Sequence, residues 1–241
     1  MAYHAWRHLN PPQSKERLSF TMKLILASQS PRRRRLLAEL GLSFITLSTD
    51  IDETPCPNEA PADLAVRLAE AKAEAAAARL DPTEGALVLA SDTVVALGNE
   101  ILGKPTDAAD ARRMLEQLRG QTHLVHTAVS VRSHPHPRTE TRLNSSRITM
   151  RAYTDAEIDA YIATGDPQDK AGAYAIQHPA FAPVAQLDGC YAGVMGFPLN
   201  DVRMLLCARG IKIEADIPAI CRGSGSAICC CEGPQKTNLC N

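Results

Sequence analysis

Residues 24–37, reading LILASQSPRRRRLL, constrain the fold more than any other stretch of this chain. An apolar run stops abruptly at Ala27-Ser28-Gln29-Ser30, and a leucine-bearing segment opens at Pro31. Ser30 suits a helix N-cap. Pro31 suits the first helical position, where its missing N–H is no loss. Leu36, Leu37 and Leu40 recur on one helical face, and Gly41 marks the stop. The pattern is a strand feeding directly into a helix. A helix start already attracts anions through its free N–H groups. Arg32 to Arg35 add guanidinium forks that match phosphate oxygens. A surface basic run or a nucleic-acid patch is the competing reading.

The remaining sequence continues the alternation of strand and helix. Residues 44–47 form a short strand, followed by the acidic loop Asp50-Ile51-Asp52-Glu53-Thr54. Residues 61–80 form a long, Ala-rich helix with Leu64, Leu68 and Ala71 as its stripe. Residues 86–90 are a continuous apolar run, as in a buried central strand, ending in Ser91-Asp92-Thr93. Residues 94–97 and 100–102 flank Gly98-Asn99 as a hairpin. Asp107 caps a helix that runs to Leu118. Strands at 123–131 and 139–151 follow, then a helix opened by the capping box Thr154/Glu157. Residues 166–177 read as a polar loop, 182–187 and 190–194 as a second hairpin around Asp188-Gly189, and 199–207 as a last helix. The fold class is therefore α/β, a mixed twisted sheet with flanking helices.

Residues 1–21 are polar and aperiodic and read as a disordered extension before Met22. Residues 215–241 read as a disordered, Cys-rich tail, leaving 22–214 as the domain. The chain has 241 residues and 8 cysteines. Cys229-Cys230-Cys231 lack the CxxC spacing of a zinc site, and the scattered body cysteines read as buried thiols. The formal net charge of −1 gives no support for a stable nucleic-acid partner. No apolar run is long enough to span a membrane, and no secretory h-region opens the chain, which points to the cytoplasm.

Several side chains are candidates for chemistry. Asp92 follows the most apolar strand, where open α/β sheets bind ligands; a carboxylate there can take a proton or hold a metal, or merely cap a turn. Asp50, Asp52 and Glu53 fit Mg²⁺ or Mn²⁺ shared with phosphate, or a solvated loop. Lys72 and Lys104 offer point charges for phosphate, with Lys104 held between Gly103 and Pro105. Gln177 carries the donor and acceptor that reading a base edge requires. No P-loop, dinucleotide fingerprint, HExxH or GxSxG is present.

Taken in order, ASQSPRR (27–33), DIDET (50–54), RLAEAKA (67–73), SDTVV (91–95), LGKP (102–105), GQTH (120–123) with Thr127, DKAGAYAIQ (169–177) and YAGVMGFPL (191–199) resemble the Maf family of nucleoside triphosphate pyrophosphatases. The resemblance covers about residues 23–209. It implies a fold like that of the inosine triphosphate pyrophosphatases, with two lobes around a cleft. It also implies metal-dependent hydrolysis of a nucleoside triphosphate to monophosphate and pyrophosphate, and a homodimer. Asp92 matches the family's proton acceptor. Arg32, Thr93 and Gln177 match the positions of base preference, in the form similar to dTTP/UTP pyrophosphatases. Ser28, Arg33, Lys72 and Lys104 match phosphate-binding positions, and Glu53 the metal position. Ser91 and Ala175 depart from the family's usual Ala and Gly. A non-enzymatic nucleotide- or nucleic-acid-binding regulator of cell division is the alternative function.

Overall fold

The computed structural model describes residues 22–225 and Cys229. A seven-stranded mixed sheet forms the centre, in the order β2-β1-β3-β5-β6-β7, with β4 paired to β3 alone. The strands are β1 (Lys23–Leu26), β2 (Ile45–Thr46), β3 (Ala86–Leu97), β4 (Glu100–Leu102), β5 (Thr122–His134), β6 (Thr139–Met150) and β7 (Val184–Asp188). β1 lies parallel to both β2 and β3, while β4, β5, β6 and β7 join by antiparallel pairing. The helices are α1 (Pro31–Glu39), α2 (Pro61–Ala77), α3 (Ala108–Leu118), α4 (Asp155–Ala163), α5 (Tyr191–Val194), α6 (Leu199–Cys207) and α7 (Ile217–Gly223). No helix among the described residues is long and apolar enough to cross a membrane.

The alternation of side chains along β3 divides the core. Ala86, Val88 and Ala90 face α2, whose Ala73, Ala76 and Ala77 pack close because they carry no bulk. Leu87 and Leu89 face the opposite side, against Leu36 and Leu37 of α1 and Leu205 and Leu206 of α6. Farther along the same strands, Val95, Val125 and Ile148 pack with Leu115 of α3 and Ile158 of α4. The long strands β3, β5 and β6 thus join two packed lobes, and Asp92 lies at the waist between them.

Five expectations are corrected. The run 86–90 does not end before Asp92. Ser91, Asp92 and Thr93 continue the strand by pairing with Val129, Ala128 and Thr127 of β5. The buried stripe of α2 runs through Leu64, Ala65, Leu68, Ala69 and Ala73, not Ala71. Residues 191–194 are helical rather than the second arm of a hairpin: Cys190 Sγ accepts from Gly193 N–H and caps α5. The tail is not structureless from 215, because α7 is capped by Asp216 and buries Ile217 and Cys221 in the α1/α6 core. The expected N-terminal extension lies outside the described residues, as do 226–228 and 230–241. The reading of the body cysteines as buried thiols fails at two of the three: Cys56 is exposed and Cys207 is disulfide-bonded, while Cys190 is buried.

Candidate active site

The nine residues matched to the family's site line one cleft of about 1010 Å³: Ser28, Arg32, Arg33, Glu53, Lys72, Asp92, Thr93, Lys104 and Gln177; of the other two acidic candidates Asp50 lines it as well, whereas Asp52 does not and instead accepts from Thr54 N–H. Its floor is the middle of β3. One rim is the turn from β1 into α1, where Ser30 caps the helix by accepting from Arg33 N–H and Pro31 takes the first position. Ser28 Oγ accepts from Ser30 N–H at 3.1 Å, which holds this turn tight.

The chemical centre is a carboxylate–ammonium–carboxylate bridge. Lys72 Nζ lies 2.5 Å from Asp92 Oδ1 and 2.6 Å from Glu53 Oε1. Lys72 reaches Asp92 because it sits four residues after the buried Leu68, at the border of the face that α2 turns to the sheet. The Asp92 side chain is 9% exposed and that of Glu53 51%, so the bridge runs from the floor to the mouth. Burial pushes the Glu53 carboxyl up. The hydrogen bond and charge of Lys72, with the charges of Lys104 and Arg33, outweigh it, and the net shift is downward.

The other cations divide into two kinds. Arg32 and Lys104 make no hydrogen bond or ion pair among the described residues and are available to an anion in the cleft. Arg33 is instead engaged with protein on all three nitrogens: Nε donates to Gly196 C=O at 2.9 Å, Nη1 to Ser91 C=O at 2.5 Å, and Nη2 to Thr93 Oγ1 at 3.1 Å. Burial pushes its guanidinium down, and Asp92 opposes that shift. This differs from the arrangement expected of a phosphate ligand.

The far wall is residues 169–177. Gln177 makes no side-chain hydrogen bond among the described residues, so its amide faces the cleft uncommitted. The wall is held from behind. Tyr161 OH donates to Asp166 Oδ2 at 2.7 Å and accepts from Ala175 N–H at 3.0 Å. Tyr174 OH meets His123 Nε2 at 2.8 Å. Gly172, at φ +70°, packs on Val95, whose Cγ1 would lie 2.9 Å from an added Cβ.

Lys170, Gly196 and Thr127 lie in the motifs that carry the family resemblance but received no role there, and Tyr161 was not singled out at all. Lys170 lines the cleft, yet its ammonium is held by Asp166 and Asp169. Its place beside Asp169 in a polar loop was the one available signal. The roles of Gly196 and Thr127 come from contacts far apart in sequence, which a motif does not reveal.

A family model described as Maf-like protein matches residues 23–209. The dTTP/UTP pyrophosphatase of Shewanella oneidensis is 46% identical over 195 residues, covering 79% of this chain and 100% of the relative. That of Geobacter sulfurreducens is 47% identical over 180 residues, covering 75% and 93%. A solved nucleoside-triphosphatase / dITP/XTP pyrophosphatase from Mycobacterium abscessus overlaps 54% of this chain and 75% of its own at 17% identity, with a TM-score of 0.34, too low to carry an inference. The matched span takes in every strand of the sheet and all nine cleft residues, and this chain belongs to the Maf-like family.

Proposed function

We propose that this chain hydrolyses dTTP and UTP to the monophosphate and pyrophosphate. The observation that carries the reading is the Asp92–Lys72–Glu53 bridge on the floor of a cleft that also holds Arg32 and Lys104. The two relatives are dTTP/UTP pyrophosphatases, and the substrates follow from them. The cations and the N–H groups of the α1 start neutralise and orient the triphosphate. A carboxylate against those phosphates would repel them in a pure binder, so its presence favours turnover over the regulator reading. Asp92 takes a proton from water as its oxygen attacks the α-phosphorus. The bond from that phosphorus to the α,β-bridging oxygen breaks, and pyrophosphate leaves with the bond's electron pair. Positioning and charge stabilisation supply most of the rate.

The donor set fits a Mg²⁺ or Mn²⁺ ion. Two carboxylates converge on one ammonium, and such ions are held by one or two carboxylates with phosphate and water completing the shell. Glu53 would hold it, leaving Asp92 to take the proton. When bound, such an ion neutralises charge on the phosphate oxygens. Lys72 keeps the two carboxylates from repelling each other and so fixes their spacing.

At the base end, the Gln177 amide offers a donor beside an acceptor, complementary to the imide edge of uracil or thymine. Arg32 and Thr93, the other two residues of base preference, line the same cleft. The reading carries with it a cytoplasmic homodimer acting on free nucleotides. A product assay tests it: dTTP, UTP, CTP, GTP and 7-methyl-GTP with and without Mn²⁺, resolving nucleotides and pyrophosphate. Monophosphate plus pyrophosphate from dTTP and UTP supports both reaction and specificity. Preference for 7-methyl-GTP overturns the specificity, and absence of turnover on every substrate overturns the enzyme.

A further inference from the structure

The sheet has an opening beside Asp92. β1 covers β3 only as far as Leu89, whose C=O accepts from Ala27 N–H at 2.8 Å, and β4 pairs with it again at Val95. Backbone direction alternates along a strand. Leu89, Ser91, Thr93 and Val95 therefore turn their N–H and C=O to this side, while Ala90, Asp92 and Val94 turn theirs to β5. Ser91 and Thr93 face an edge that no strand covers.

Arg33 fills that opening. Its Nη1 donates to the Ser91 carbonyl, the carbonyl of the peptide that leads into Asp92, and its Nη2 to the hydroxyl of Thr93, the residue that follows. One guanidinium therefore holds both neighbours of Asp92. Its Nε fastens the same node to Gly196 C=O, which also accepts from Ser91 Oγ at 2.9 Å. Gly196 is at φ +96°, and a Cβ there would lie 3.1 Å from Thr93 Oγ1 and 3.3 Å from Arg33 Nε. Thr127 Oγ1 lies 2.8 Å from Gly193 C=O and 3.1 Å from Thr93 Oγ1. A hydroxyl has one proton, and the carbonyl can only accept. Thr127 therefore donates to Gly193 while Thr93 accepts from Arg33 and donates to Thr127. The bonds run in one direction from Arg33 through both hydroxyls.

We propose that Arg33 is a positioning residue: it replaces the missing strand at the edge of β3, sets the direction of Asp92 and orients the Thr93 hydroxyl, and it leaves the triphosphate to other groups. The proposal rests on the pyrophosphatase reading for its kinetic test. A phosphate ligand and a strand substitute respond differently to lysine. Lysine keeps the charge but has one nitrogen where three are used, and it cannot span Gly196, Ser91 and Thr93 at once.

The experiment compares wild type, Arg33→Lys, Gly196→Ala and Lys104→Gln. It measures kcat and KM for UTP, Kd for α,β-imido-UTP and hydrogen exchange of the Asp92 and Val94 amides. We expect Arg33→Lys to lower kcat about a hundredfold, with KM and Kd within about twofold of wild type and faster exchange at both amides. Gly196→Ala, which pushes on the same node from the other side, should reproduce that pattern. Lys104→Gln should weaken analogue binding and leave exchange unchanged. Retained kcat in Arg33→Lys, or a KM or Kd raised about tenfold, overturns the proposal. If wild-type protein turns over no nucleotide, the pyrophosphatase reading fails by itself, and the analogue and exchange arms still decide Arg33. Unchanged affinity with faster exchange supports positioning, and weakened affinity with unchanged exchange overturns it.

Discussion

Acid should weaken this fold through His123 before the carboxylates titrate. His123 is 2% exposed, its Nε2 meets Tyr174 OH, and its Nδ1 is buried with no partner. Whichever neutral tautomer is present, the doubly protonated ring carries an Nδ1–H with no acceptor. Burial accordingly pushes the imidazole from 6.5 down to about 4. The sign follows. Between those values the unfolded chain binds a proton that the folded chain refuses, so stability is complete above pH 6.5 and falls as pH drops toward 4. At about 1.4 kcal/mol per pH unit, the loss from pH 6.5 to about 4.5 is roughly 2–3 kcal/mol. Burial pushes His126 down as well and adds in the same direction. Glu59 and Glu157, each held near 2, contribute only below their unfolded value of 4.5, outside this window. Urea unfolding at about pH 7 and about pH 4.5, on wild type and His123→Gln, isolates the term, since Gln keeps a polar atom for Tyr174 but cannot titrate. A wild-type loss within about 0.5 kcal/mol of the variant's would refute the reasoning. The consequence reaches the cleft, because Tyr174 lines it and begins the stretch that ends in Gln177.

Three further outcomes are expected. Asp92→Asn should abolish turnover while the protein still folds cooperatively, with a lowered urea midpoint because Lys72 loses its buried partner and keeps only Glu53; near-full kcat would remove Asp92 from the chemistry. Tyr161→Phe strips the acceptor from the buried Ala175 N–H. It should cost about 1–3 kcal/mol in urea unfolding and raise KM for UTP by loosening the wall that bears Gln177. Ending the chain at Ala215 removes Ile217 and Cys221 from the α1/α6 core, at 1% and 2% exposure. A loss of about 2–5 kcal/mol, read by urea unfolding, is the expected result.

The elements were legible where periodicity and caps agreed. Ser30-Pro31, Asp107 and Thr154/Glu157 each start a helix where the side-chain chemistry places it. Legibility failed where tertiary contacts decide. A polar Ser-Asp-Thr reads as a strand end, yet β5 pairs through it, and Gly196, Lys72 and Arg33 satisfy the polar side chains that a purely apolar core could not. Residues 190–194 carry small and apolar side chains that suit a strand. The turn is forced because Gly189, at φ +140°, lies against Ser146, whose Oγ would be 2.5 Å from a Cβ. In the tail, the isolated Ile217 and Ile220 gave no period. One turn of helix needs only those residues to cover the edge of a core built by α1 and α6.

The candidate site shows the same division at finer grain. The types of side chain suited to phosphate, proton transfer and a base edge could be read from the chain, and the nine matched to the family's site line one cleft. Their directions could not. Arg32 and Arg33 are identical in chemistry and adjacent in sequence, and both begin α1. Successive residues of a helix point about 100° apart, so one arginine faces the cleft only by turning its neighbour toward the sheet. Which becomes which depends on acceptors that lie 58, 60 and 163 residues away, at Ser91, Thr93 and Gly196. An arginine next to an open strand edge with an unpaired carbonyl satisfies that carbonyl first, because a buried acceptor left without a partner costs about 1–3 kcal/mol. An exposed phosphate ligand meets no such demand until substrate arrives. The edge of β3 therefore selects between the two guanidiniums.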